Sequence, residues 1–225
     1  MRGVLTTFLR SRLPLRVARG ATRRERALLV ATAATCAVDW GWPVLPGAEA
    51  NRGGGCRCIR PDCPTPGAHP DDPSLLAATT DPRMVEWWWG RRPDAPVLLA
   101  TGLRVSAVSL PASAGVRVLE YFDELRIRTG PVIATPTRYV LLVAPYTMQE
   151  LGELLVAQEW VPTSLRYHGT GGYTVLPPSR TGAGPVRWVR EPLRGGAPWL
   201  PGVGELMGAL VAASAAVPDG ARLAY

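Results

Sequence analysis

The chain has 225 residues and 47% apolar content, long enough to bury a core and too apolar to be disordered. All 25 basic residues are arginine, which excludes a Walker A lysine, a Schiff-base lysine and a lysine general base. The formal charge of +7 sits in residues 1–26, where Arg2, Arg10, Arg12, Arg16, Arg19, Arg23, Arg24 and Arg26 face only Glu25; the rest of the chain is balanced.

The basic segment 1–25 is read as a flexible tail, and three roles stay open: a solvated arm, an arm that touches phosphates or an acidic partner, or a signal peptide. The apolar run in RRERALLVATAATCAV is about a dozen residues, too short to cross a membrane. Arg26 also stands where a twin-arginine signal wants a bulky apolar residue, so a cytoplasmic protein with no membrane partner is expected. A first helix is predicted from Thr22 to about Val38, with Leu28, Leu29, Ala33, Cys36 and Ala37 on one face. WPVLP (42–46) reads as a short strand, and residues 47–73 as a Cys-rich loop. A short helix follows, capped by Thr80 or Asp81 with Pro82 at its first position. Strands are expected over 97–102 and 105–110, then a helix over 113–128 with Val116, Leu119, Phe122 or Asp123, and Ile127 a turn apart. PVIATPT and YVLLVAP form a hairpin pattern, and TMQELGELLVAQ a helix. SLRYHGTGGYTVLPPS is a strand, a Gly-rich bend and another strand. VRWV (186–189) is a short strand, and VGELMGALVAASAAV a closing helix. The mixed order gives an α/β (α+β mixed) fold on a mixed sheet.

Cys56, Cys58, Cys63 and His69 are spaced Cys-x-Cys-x₄-Cys-x₅-His inside the Gly/Pro-rich loop 53–70. Four such ligands suit tetrahedral zinc, and a loop without a core of its own would draw its folding energy from the metal. Free loop thiols or one disulfide are the plainer alternative. No glutamate lies nearby to act as general base, so the site reads as structural. Cys36 reads as a small buried residue.

The order GWPVLP, CxC…C…PGAHP, ATTDPRMVEWWW…PDAPVLLATG and GGYTVLPPSRTGAGPVRW resembles the N-terminal domain of bifunctional DNA primase/polymerases, from about Arg26 to Trp188. The resemblance implies a primase-polymerase-like domain over 26–203, with an RRM-like sheet and the zinc loop 53–70, and a C-terminal helix and tail over 204–225. It also implies an Asp-x-Asp or Asp-x-Glu pair on one strand, a histidine on the next hairpin and a third acid before the GGY turn, holding two divalent ions.

This sequence departs from that pattern at each point. Ser109 and Pro111 occupy the places of the two acids, Tyr139 lies nearest the expected histidine, Arg166 takes the third acid's place, and His168 falls where relatives carry arginine. No Asp or Glu lies between Asp94 and Glu120, between Glu124 and Glu150, or between Glu159 and Glu191. Mg²⁺ or Mn²⁺ is therefore not expected as a cofactor. Arg138, Arg166, His168, Ser179 and Arg180 are candidates for holding a phosphate directly; the plain alternative is that they pair with carboxylates or face solvent. Trp87, Trp88 and Trp89 lie on a short helix, so their rings diverge, and packing is favoured over base stacking. Three functions stay open: a catalytically degenerate protein binding single-stranded nucleic acid, a nucleotide or a replication partner; an active primase/polymerase with other metal ligands; or a zinc-stapled interaction module.

Overall fold

A computed structural model describes residues 21–51, 53–158, 160–193 and 195–215. Most of the basic tail and the last ten residues of the chain lie outside this set. Helix α1 (Arg23–Ala34) opens with a reciprocal cap: the Thr22 hydroxyl accepts the Glu25 N–H, and the Glu25 carboxylate accepts the Thr22 N–H. It runs into a π turn over Thr35–Asp39, closed by the Trp40 N–H on the Thr35 carbonyl. Leu29, Ala33, Cys36 and Ala37 are buried, as the spacing predicts, but Leu28 is 47% exposed. One residue from Leu29 is a rotation of about 100°, which carries Leu28 off the buried stripe.

Strand β1 (Val44–Pro46) leads into the Cys-rich loop, and α2 (Pro82–Arg91) starts where Asp81 accepts the Arg83 N–H and Pro82 takes the first position. The chain continues through β2 (Val97–Ala100), β3 (Ser106–Pro111), α3 (Ala112–Glu124), β4 (Val132–Ala134), β5 (Arg138–Val143), α4 (Met148–Val156), β6 (Arg166–His168) and β7 (Tyr173–Val175). A small hairpin, β8 (Arg180–Thr181) and β9 (Gly184–Pro185), precedes β10 (Arg187–Arg190) and α5 (Val203–Ala215).

The larger sheet has the order β10-β4-β5-β3-β6, with every pair antiparallel. Its β3-α3-β4-β5-α4-β6 segment is the split β-α-β arrangement, the RRM-like sheet that the resemblance implied, with β10 added at one edge. The smaller sheet is β1-β2-β7. Successive strand residues face opposite sides, so β3 divides cleanly. Val108 and Leu110 join Val132, Ala134, Leu141 and Val143 against α3 and α5, where Val203, Leu206, Met207 and Leu210 are also buried. Ala107 joins Ile133, Val140 and Leu142 in a second core with β1, β2, Trp88 and Trp89. The large sheet is therefore covered on both faces.

One expectation is corrected on α3. On α3 the buried face is Ala114, Gly115, Val118, Leu119 and Phe122, while Val116 is 45% exposed. Gly115 sets that face, because a Cβ there would lie 2.3 Å from the Tyr139 ring. The strand–bend–strand at 166–175 is present, but β6 and β7 do not pair with each other. β6 joins the large sheet and β7 the small one. The bend is pinned by Thr101, whose N–H donates to Gly172 O at 2.9 Å and whose hydroxyl donates to Gly169 O at 2.8 Å. Gly102 has φ +103°, and a Cβ there would meet the Thr170 backbone at 2.3 Å, so the junction of the two sheets requires glycine.

Candidate functional site

The Cys-rich loop is folded onto the small-sheet side of the molecule. The Ala48 N–H donates to His69 O, the Arg57 N–H to Glu49 O, and Asn51 Oδ1 accepts the N–H groups of Gly53 and Gly55. The tip is held from above by the β8–β9 hairpin, whose Gly182 N–H donates to Pro66 O at 2.7 Å. These bonds bring one ligand atom each from Cys56, Cys58, Cys63 and His69 within 4.8 Å of one another. His69 Nε2 lies 3.3 Å from Cys56 Sγ and 3.2 Å from Cys63 Sγ. A tetrahedral ion about 2.3 Å from sulfur and about 2.0 Å from nitrogen needs ligand atoms roughly 3.5–3.8 Å apart, so the donor set fits with small adjustments. His69 Nδ1 is 2.7 Å from Pro70 O, which fixes the proton on that nitrogen and leaves Nε2 free to ligate. Burial works to raise the Cys56 thiol, but hydrogen bonds from the backbone of Cys58 and Gly67 and from the Cys58 side chain outweigh it and bring it to about 6. Cys56 is thus a thiolate, the ligating form, at neutral pH. Cys36 behaves in the opposite way: it is fully buried, and burial pushes its thiol up to about 12.

The second constellation lies on the face of the large sheet turned away from α3 and α5. Ser109 pairs with Val140 on one side and Arg166 on the other, and Pro111 pairs with Arg138. Ser109, Arg138, Arg166 and His168 consequently share one face. Arg138 Nε donates to Ser109 Oγ at 3.1 Å, and its Nη2 donates to Ser109 O and Ser164 O, both at 2.7 Å. Ser109 Oγ is 2.9 Å from His168 Nε2. An arginine can only donate, so Ser109 Oγ accepts from Arg138, while its bond with His168 Nε2 runs in the direction that the imidazole tautomer sets. Burial, with help from the Arg138 and Arg166 charges, pushes His168 down to about 4 and so keeps it neutral. Burial and Arg166 likewise lower Arg138 to about 10. Ser109 is 1% exposed and cannot reach a substrate; Arg166 is exposed, without an ion pair among the described residues.

The other sequence candidates stand elsewhere. Ser179 is buried, and its hydroxyl accepts the Val97 N–H at 2.8 Å, tying β2 to the turn before β8. Arg180 is exposed on β8 over Gly67 of the Cys-rich loop and acts electrostatically on Glu25, not on His168 or Arg138. The Tyr139 ring is packed on the helix side against Gly115, opposite to Ser109. It is Arg138, one residue earlier, that reaches the Ser109 face, since strand side chains alternate. Residue spacing alone does not show the Arg138–Ser109–His168 chain; parity along β5, counted from its pairing with β3, reveals it. None of the ten described strands carries Asp or Glu.

Fold and site together define a split β-α-β domain with a second small sheet and a Cys₃His loop. The description "bifunctional DNA primase/polymerase, N-terminal" matches residues 33–202, and the chain belongs to that family. No curated protein and no solved structure matches the chain. Among the described residues no helix is long and apolar enough to cross a membrane.

Proposed function

We propose that this primase/polymerase-fold protein is catalytically degenerate: it binds nucleic acid or nucleotide phosphate on the Ser109 face and does not transfer nucleotides. The observation that carries the reading is the Arg138–Ser109–His168 chain itself. Two-metal phosphoryl chemistry needs clustered carboxylates to hold its ions. Here the aligned place of one acid is Ser109, already saturated by a guanidinium and an imidazole, and the place of another is the cation Arg166. A phosphate can take from Arg166 what a metal would otherwise supply, a positive charge with planar donors.

Zinc fits Cys56, Cys58, Cys63 and His69, which would hold it with four protein ligands and no open position. Bound there, it supplies folding energy to the loop. On this reading the functional unit is residues 26–203, the cofactor is structural zinc without Mg²⁺ or Mn²⁺, and the protein works in the cytoplasm beside replication proteins.

A primed template with dNTPs and Mn²⁺ tests the degeneracy. No extension is expected, and extension that follows the protein through purification overturns the reading. Titration with labelled nucleotide tests the binding half: Arg166→Ala should weaken it about tenfold, the loss of one charge-assisted contact. Equal affinity for the variant and the parent would remove phosphate binding from this face.

A further inference from the structure

The Trp87-Trp88-Trp89 run resolves into two roles. Trp88 and Trp89 are buried at 4% and 1% exposure, and Trp89 Nε1 donates to Ala95 O at 3.0 Å. Trp87 is left 51% exposed, with the Arg91 guanidinium 4.2 Å above its ring. The first turn of α1 is tied to the end of α2 by Arg26, which holds both oxygens of Asp94 at 2.7 and 2.9 Å. Arg23 and Arg24 lie within one turn of Arg26 on α1, and Arg91 and Arg92 lie within three residues of Asp94. Arg23, Arg24 and Arg92 have no carboxylate partner among the described residues. The nearby acids are mostly committed: Asp94 to Arg26, and Glu25 to the Thr22 cap, with Glu86 on α2 left free. Immediately upstream, residues 1–20 add five arginines and no acid.

We propose that this α1–α2 face is a second nucleic-acid surface, with a single strand lying over Arg23, Arg24 and Arg92 and one base stacked at the Trp87–Arg91 pair. It is separate from the Ser109 face, and neither binding event depends on the other. The partner is read from the chemistry. Unpaired guanidinium groups suit any polyanion, but an exposed indole beside a planar guanidinium adds a platform for the flat face of a base, which an acidic protein does not have. The half-exposed ring places that platform at the edge of the cationic strip, where a base can reach it while its phosphates meet the arginines.

The experiment measures binding of a fluorescent oligo-dT by the full chain over a range of salt concentrations. Trp87→Ala should weaken binding roughly 5- to 150-fold, the range of one base–aromatic stack, and leave the salt dependence unchanged. Trp87→Phe should restore most of it. Arg23→Ser with Arg24→Ser should lower the slope of log affinity against log salt by about 1.4, close to 0.7 for each phosphate lost. Arg91→Glu, on an exposed position, should weaken binding whether or not the tryptophan variant folds well. Affinity unchanged within twofold in both Trp87→Ala and Arg91→Glu overturns the proposal. So does a loss seen only in Arg166→Ala, which would put the strand on the Ser109 face. Competition by poly-glutamate as strong as by the oligonucleotide, with Trp87→Ala neutral, also overturns it and points to an acidic protein partner.

Discussion

The Cys-rich loop and the Ser109 face are both small polar clusters, yet they are built on opposite principles. In the loop, three sulfurs and an imidazole converge with Nε2 3.2–3.3 Å from two of the thiols and with no cation among them. That donor set has the composition and spacing that suit a bound zinc ion. On the Ser109 face, two guanidinium groups and a neutral imidazole surround a serine with no anion among them. The face satisfies its own buried hydrogen bonds, leaving a surplus of positive charge. One cluster holds the donors of a metal site, and the other carries net positive charge. On the proposed reading, direct positive charge stands where the family's pattern places metal ligands.

This contrast can be tested from the strongest consequence downward. Removing zinc with a chelator, or changing Cys63→Ser, should unravel the loop, since a structural zinc site of this type supplies on the order of 10 kcal/mol of apparent binding energy. Metal analysis should find one zinc per chain before treatment, and a chelator that leaves thermal melting unmoved would make the loop as self-sufficient as the sheet. Next in size is Ser109→Ala, which strands the Arg138 Nε–H and takes away the hydrogen-bond partner of His168 Nε2. A loss of about 1–3 kcal/mol in denaturant unfolding is expected; a neutral outcome would mean that water replaces the hydroxyl.

Acid should act on the sheet in a defined window. His168 is held at about 4, first by burial and then by Arg138 and Arg166, whereas in the unfolded chain it titrates near its ordinary value of about 6.5. The unfolded state therefore takes up the proton first. The histidine's contribution to stability is complete above about pH 6.5 and is lost as pH falls toward 4. Melting curves of the parent and of His168→Gln should diverge least at the acid end of that window. The smallest effect belongs to Arg166→Ala. It removes a like charge from beside Arg138 and His168, so stability should stay within about 0.5 kcal/mol or rise slightly, while the His168 titration moves upward by NMR. A marked loss of stability would show that Arg166 has a structural partner and is not held for an anion.

Much of this was legible in one dimension. Period and breakers placed each α-helix, and every strand except the β8–β9 hairpin, which is two residues a side and has no alternation to read; the short 3₁₀ turn Leu75–Ala77 also lacked a signal. Ligand spacing alone found the four loop residues, because Cys and His within 14 positions of a Gly/Pro-rich segment leave few other arrangements. The absence of carboxylates from the strands is equally a property of the sequence. What it could not give was direction. Whether Tyr139 or Arg138 meets Ser109, whether Val116 or Gly115 faces the core, and which of three tryptophans stays outside each turn on a single residue of register. A one-residue shift reverses a strand side chain and rotates a helical one by about 100°. Only the packing of the two sheets and five helices fixes that register, through contacts between residues far apart in the chain. The sequence by itself determined the composition of the two clusters; the tertiary structure decided which of those residues face each other.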